Sequence, residues 1–199
     1  MNDEEFRREY EQRLPDFERI TDEIANSLQY GLSEKKIQVD AVRGRVKEFD
    51  SFMEKIRRKN LQNPFQEIND IVGIRVICLY RDDIEKIQNI VCDAFAVISD
   101  DDKTDSTESD RFGYAGSHII ARLDNKQNAS LPPNLHNLRF EIQIRTIAQH
   151  AWASISHHLF YKKSDKTPKD LHAISALFYV ADSHFLLLRN EQSHREQIQ

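Results

Sequence analysis

Two acids among a group of cations carry the chemistry available to this sequence. Asp70 stands at the entrance of an apolar run, Ile71 to Tyr80, in which Arg75 is the one interior charge. In a second run Glu141, Gln143 and Arg145 alternate with Phe140, Ile142 and Ile144. Successive strand side chains point to opposite faces, so an acid, an amide and a guanidinium share one surface there. Arg43, Arg45 and Lys47 alternate in an earlier run, and Lys55 and Arg58 follow on one face of a helix. Carboxylates from two strands beside this many cations are what a magnesium-dependent phosphoryl or pyrophosphoryl transfer requires. The acids hold Mg²⁺, the metal bridges phosphate oxygens, and Arg and Lys neutralise a polyphosphate. Arg75, inside its apolar run, needs an anionic partner, whether a carboxylate or a phosphate. Neither a Walker-type glycine loop nor a kinase signature occurs, so the phosphates must be held by side chains. Each feature alone also fits a solvated strand or helix face; their concurrence is what favours chemistry.

The elements that position these residues follow from periodicity. Phe6, Tyr10, Leu14, Phe17, Ile24 and Leu28 predict an amphipathic helix from Asp3 to about Tyr30, with Pro15 as a point of kinking or interruption. Ile37 to Lys47 reads as a strand with Val42 and Val46 on one side and Arg43, Arg45 and Lys47 on the other. A helix starts at Asp50 or Ser51 and is broken at Asn63-Pro64; Ile71 to Tyr80 is then a buried strand in which Gly73 allows a bulge or a close approach. Asp82 to Asp93 is a helix with Ile84, Ile87, Ile90 and Val91 inward, and Phe95 to Ile98 a short strand. Ser99 to Asp110 carries six acids, one lysine and no apolar residue, which predicts a mobile loop. Beyond it Tyr114, Gly116, His118 and Ile120 share a strand face, with Gly116 leaving room for a flat ligand between Tyr114 and His118; ordinary core contacts are the alternative for the tyrosine.

Thr146 ends the Glu141 strand as the N-cap of a helix through Ala148, Trp152, Ile155 and Leu159. His150 and His157 on that helix are two turns apart, about 10 Å, too far for one metal ion to join. The last helix carries Leu171, Ile174, Phe178, Ala181, Phe185 and Leu188 in 3-4 alternation beside a second stripe of Leu177, Val180 and Leu187. So wide an apolar surface calls for the N-terminal helix plus a second subunit or a further segment of chain, and the lack of a clear cap at Gln199 leaves room for the latter.

Composition limits the function classes. With 199 residues the chain can bury one sizeable core, so one domain with helical additions is expected. No apolar run approaches the ~20 residues of a membrane helix, and the charged first thirty residues exclude a signal peptide, which makes the cytoplasm the expected location. A net charge of −5 argues against a large nonspecific nucleic-acid footprint while leaving room for a local basic pocket. Cys78 and Cys92 fit no zinc spacing and are expected to be buried as small hydrophobes.

Four ordered motifs carry a family resemblance. Gly44-Arg45-Val46-Lys47, Asp70-Ile71-Val72-Gly73-Ile74-Arg75, Gly113-Tyr114 with His118, and Glu141-Ile142-Gln143-Ile144-Arg145-Thr146 running on to His157-His158-Leu159-Phe160-Tyr161-Lys162 resemble the synthetase domain of RelA/SpoT-type alarmone synthetases, small single-function members included. Over residues 37–165 the resemblance implies a nucleotidyltransferase-like mixed sheet flanked by helices, and with the helical segment read at 1–36 and the C-terminal helix at 166–199 the chain is expected to be α+β. It implies transfer of the β,γ-pyrophosphate of ATP to the 3′-hydroxyl of GDP or GTP, with release of AMP. Asp70 and Glu141 are then the Mg²⁺ carboxylates, with Glu141 also the base for the 3′-hydroxyl. Arg43, Arg45, Lys47, Lys55, Arg58 and Arg75 are the ATP-binding set, and Tyr114, His118, Gln143 and Arg145 the acceptor-binding set.

Three departures from the family pattern matter, two for the acceptor and one for hydrolysis. Ala115 and Gly116 follow the tyrosine where many relatives have a basic residue and then Ser, and the preceding loop is acidic, with only Lys103 and Arg111 available for an acceptor. No His-Asp dipeptide occurs, so the resemblance implies synthesis and not hydrolysis. Two alternative acceptors keep the chemistry, the 3′ end of tRNA and adenosine nucleotides; a catalytically silent nucleotide-binding module is the alternative from another class. The terminal helices point to a homo-oligomer.

Overall fold

The computed structural model describes residues 3–101, 116–123, 135, 138–160 and 170–198. Tyr114, the acidic stretch after Asp101, Lys103, Arg111 and Ala115 lie outside the described residues. Strands β1 (Val39–Val46), β2 (Val72–Cys78), β3 (Ala96–Asp101), β4 (Ser117–Arg122) and β5 (Arg139–Thr146) form one five-stranded sheet. Its order is β1-β2-β5-β4-β3, with β2 and β5 parallel and the other pairs antiparallel. This is the mixed sheet expected. β3 runs through Asp101, so the predicted loop starts later than its composition suggested.

The alternation of β5 sorts the two faces of the sheet. Phe140, Ile142 and Ile144 are buried, together with Ile74 and Val76 of β2 and Ile119 and Ala121 of β4. Against this face pack α1 (Asp3–Glu34) and α4 (Asp82–Ala94), with Phe17, Ile20, Ile24 and Leu28 from the first and Ile87 and Val91 from the second. Helix α1 continues through Pro15 without interruption; Pro15 is exposed, and buried Tyr10 and Phe17 anchor the helix on either side of it. α1 packs tightly on β1 at Gly44, where any Cβ would lie 2.3 Å from the Thr21 methyl. The Tyr10 hydroxyl donates to the Lys47 carbonyl and pins the end of β1.

Helix α2 (Phe49–Lys59) begins one residue before the expected cap and has no capping side chain; its stop is Asn60, in the left-handed region at φ 50°. The short α3 (Pro64–Glu67) then leads into β2. Cys92 points outward from α4 and is exposed, contrary to expectation, because the buried stripe through Ile87, Ile90 and Val91 turns the next position to solvent.

The other sheet face carries the polar residues. Cross-strand register lines up Arg43, Arg75, Gln143 and His118 in one row and Arg45, Gly73, Glu141 and Ile120 in the next. At the Thr146 end α5 (Ile147–Phe160) packs against β5 and β2, and α6 (Asp170–Ile198) packs on α5. Thr146 caps α5 reciprocally: its hydroxyl accepts from the Gln149 N–H at 3.1 Å, and the Gln149 side-chain oxygen accepts from the Thr146 N–H at 2.8 Å.

The packed face of α6 differs from the predicted stripe. Ser175 and Asp182 are buried and Phe178 stacks on Trp152 at 5.7 Å, whereas Ile174, Phe185 and Leu188 are exposed. The polar residues face inward because they meet specific partners. Asp182 accepts from the Thr146 hydroxyl at 3.0 Å, and Arg189 meets both oxygens of the buried Asp83 at 3.0 Å.

Candidate active site

Asp70, just ahead of β2, is the meeting point of three elements. Lys47 at the end of β1 and Lys55 on α2 each place an ammonium 2.8 Å from a different Asp70 oxygen. Burial pushes the Asp70 carboxyl up, and the two lysine hydrogen bonds outweigh it, so the group is held below the usual aspartate range. Arg58, one turn further along α2, is exposed and has no ion pair among the described residues. Four of the five cations grouped by the sequence thus reach the Asp70 side of the sheet or its polar face, and Arg58 does not.

Glu141 is held from two sides. The Gln143 side-chain N–H donates to one oxygen at 2.8 Å, and His118 Nδ1 lies 3.0 Å from the other. Arg145 Nη2 stands 3.2 Å from His118 Nε2; a guanidinium can only donate, so Nε2 is the acceptor and Nδ1 carries the proton given to Glu141. Burial raises the Glu141 carboxyl, while the His118 and Gln143 bonds lower it by more, and the carboxylate form is favoured. Gln143 also accepts from Arg75 at 3.3 and 3.4 Å through its carbonyl oxygen, so one amide links Arg75 to Glu141. Arg75 thus meets a neutral amide instead of the anion expected for it, with the Glu141 carboxylate one hydrogen bond further on.

Arg75 lies in a cavity of about 210 Å³ with Arg43, Arg45, Gly73 and Gln143. Burial and the neighbouring Arg145, Arg45 and Arg43 lower its pKa, the mark of guanidiniums crowded together without enough anion. Gly73 pairs with Arg45 without a bulge, and the Arg45 side chain lies over it, where an added Cβ would be in ordinary contact with Arg45 Nε at 3.6 Å. A larger groove of about 660 Å³ between α1 and β1 sets Glu11, Glu18, Asp22 and Glu48 around Arg45, a charge balance that repels polyphosphate.

Two placements differ from the sequence reading. The space beside Gly116 is filled by Arg145, whose Cγ would be 2.4 Å from an added Cβ, so a flat ligand does not fit there; the glycine lets Arg145 reach His118. His150, considered in the sequence only as a metal ligand, belongs instead to the polar face. Burial and then the charges of Arg75, Arg145 and Arg43 hold its pKa down, and its buried Nδ1 has no partner among the described residues. The available signal was its place in the first turn of the helix that directly follows the Glu141 strand.

Among the described residues no three His, Cys, Asp or Glu side chains converge to form a metal cage. Asp70 and Glu141 are hard oxygen donors that sense one another electrostatically. Two carboxylates with no protein cage fit Mg²⁺, which keeps several positions for water and substrate phosphates. No helix among the described residues is long and apolar enough to cross a membrane.

Residues 44–166 match the family described as the region found in RelA / SpoT proteins. GTP pyrophosphokinase YwaC of Bacillus subtilis (strain 168) is 31% identical over 155 residues, covering 73% of this chain and 69% of that one. GTP pyrophosphokinase YjbM of the same organism is 35% identical over 136 residues, 66% of this chain and 61% of its own length. Small alarmone synthetase 1 from Bacillus subtilis, solved with its product pppGpp, superposes with a TM-score of 0.74 at 27% identity, over 92% of this chain and 97% of the other.

Proposed function

The chain belongs to the RelA/SpoT family, and on that premise we propose that it is a small alarmone synthetase, an ATP:nucleotide 3′-pyrophosphotransferase of the GTP pyrophosphokinase type. The observation that carries the reading is Glu141, kept ionised by two donated hydrogen bonds on the same sheet face as a cavity crowded with arginines. The acceptor's 3′-hydroxyl oxygen forms a bond to the β-phosphorus of ATP while the bond from that phosphorus to the α,β-bridging oxygen breaks. AMP leaves with the bridging oxygen, and the hydroxyl proton passes to Glu141. His118 and Gln143 hold the Glu141 carboxylate in one orientation, which aligns it for that proton.

Arg43, Arg45 and Arg75 neutralise the triphosphate, with Lys47 and Lys55 reaching it from the Asp70 side and Arg58 swinging in from solvent. Arg145 and His118, with Tyr114, form the acceptor side. Asp70 and Glu141 would hold Mg²⁺, which when bound supplies charge neutralisation across phosphate oxygens. GDP and GTP are the acceptors proposed from the names of the curated relatives, and the cytoplasm is the proposed location. The exposed apolar residues of α6, Leu177, Val180, Leu187 and Leu188 among them, support a homo-oligomer; sedimentation of the chain with and without residues 168–199 tests it.

The function is tested by incubating the protein with Mg²⁺, γ-labelled ATP and, separately, GDP, GTP, ADP and deacylated tRNA. Label in GDP or GTP is expected. Label confined to ADP or tRNA would keep the chemistry and replace the acceptor, and label in none would leave a nucleotide-binding module.

A further inference from the structure

The lysine pair on Asp70 points beyond a list of ATP contacts. Each Asp70 oxygen already has an ammonium at 2.8 Å, and the side chains of Lys47, Lys55 and Asp70 are only 12%, 20% and 16% exposed. A dication on Asp70 would stand within a few ångströms of two partly desolvated positive charges, where screening by water is weak. Among the described residues no third ligand converges to compensate. A polyphosphate changes this balance, because it offers both ammoniums new anionic partners. Lysine suits the exchange: its head is a point charge on a flexible four-carbon stem, free to move without breaking a bidentate fork.

We propose that Lys47 and Lys55 act as removable counterions of Asp70, closing it to a divalent cation until a nucleoside triphosphate draws their ammonium groups away. The inference rests on the reading of this site as an ATP site. Metal and nucleotide then bind with positive coupling, and by linkage each strengthens the other. Without metal, a triphosphate must pull both lysines from a carboxylate that holds them well; with that carboxylate neutralised, the lysines are free for the phosphates. Asp70→Asn, the loss of a metal ligand, should strengthen metal-free ATP binding.

Calorimetric titration of ATP in EDTA, on wild type and on Asp70→Asn, tests this, with Asp70→Ala as a second variant and circular dichroism confirming that each is folded. Both variants are expected to bind metal-free ATP about tenfold tighter, the charge-assisted bonds to Asp70 no longer competing. With Mg²⁺ the order should reverse. Manganese alone, followed by electron paramagnetic resonance, should show no saturable binding to the wild type at micromolar concentrations. Folded variants that bind metal-free ATP no tighter than wild type would overturn the proposal, as would micromolar Mn²⁺ binding without nucleotide. In either case ATP still binds, and the ATP-site reading stands. No ATP binding to wild type in any buffer would remove that reading and this inference with it.

Discussion

At Gly44 of β1, between Arg43 and Arg45, there is no room for a side chain against helix α1, and Gly44→Ala tests whether that contact positions the arginines proposed to bind ATP. The added Cβ would lie 2.3 Å from the Thr21 methyl and 3.5 Å from Ile74 Cδ1. Carbon atoms rest at roughly 3.5–4 Å, so α1 and β1 must separate by about 1 Å or more. Thr21 cannot turn its methyl aside cheaply, because its hydroxyl donates to the Phe17 carbonyl at 2.7 Å. Overpacking of this kind costs about 1–3 kcal/mol. At about 2–4 °C per kcal/mol for a chain of this size, Tm should fall by roughly 2–12 °C. Arg43 and Arg45 flank Gly44 and move with it, and a displacement near 1 Å can lower kcat/KM by up to about a hundredfold.

Thr21→Ser keeps the hydroxyl and removes the methyl that collides. The pair Gly44→Ala with Thr21→Ser should therefore recover much of the stability and of kcat/KM, in a non-additive cycle. Thermal unfolding and steady-state kinetics on the four proteins measure both. Wild-type stability in Gly44→Ala, or a double variant as impaired as the single one, would refute the reasoning.

Two further outcomes follow from the ion pairs. Arg189→Ala strips two hydrogen bonds from Asp83, whose side chain is 3% exposed, while leaving Lys86 at 2.8 Å. Breaking a buried pair costs about 3–5 kcal/mol, and with Lys86 kept and Arg189 partly solvated about 1–3 kcal/mol is expected by chemical denaturation. Asp70 is held below its usual value of 3.8, so its contribution to stability is complete above that pH and is lost as pH falls through the lower folded value. Denaturation between pH 2 and 7 should show this acid loss in wild type and a shallower one in Asp70→Asn.

What could be read in the sequence was what repeats along one element. The alternation of β5 gave its two faces, and the spacing of Arg43, Arg45 and Lys47 gave the basic strand, because both depend on a local period of two. The convergence of Lys47, Lys55 and Asp70 was legible as a neighbourhood, but their pairing was not, since it depends on where α2 crosses the end of β2. α6 shows the limit most clearly. Its apolar stripe predicts one buried face, yet Ser175, Asp182 and Arg189 turn inward because Thr146 and Asp83, on other elements, supply partners for two of them. Gly116 failed similarly: the space beside it is real, and a side chain from the neighbouring strand fills it.

In the proposed reaction Glu141 is the ionised group at which the acceptor hydroxyl loses its proton. Glu141→Gln is nearly isosteric and can still accept from Gln143, but it turns an amide N–H toward His118 Nδ1, so the protein should fold as wild type with a modestly lower Tm. Pyrophosphate transfer from labelled ATP to GDP or GTP should fall by at least about a thousandfold with the loss of base and metal carboxylate together. A folded Glu141→Gln protein that transfers label at the wild-type rate would contradict the account.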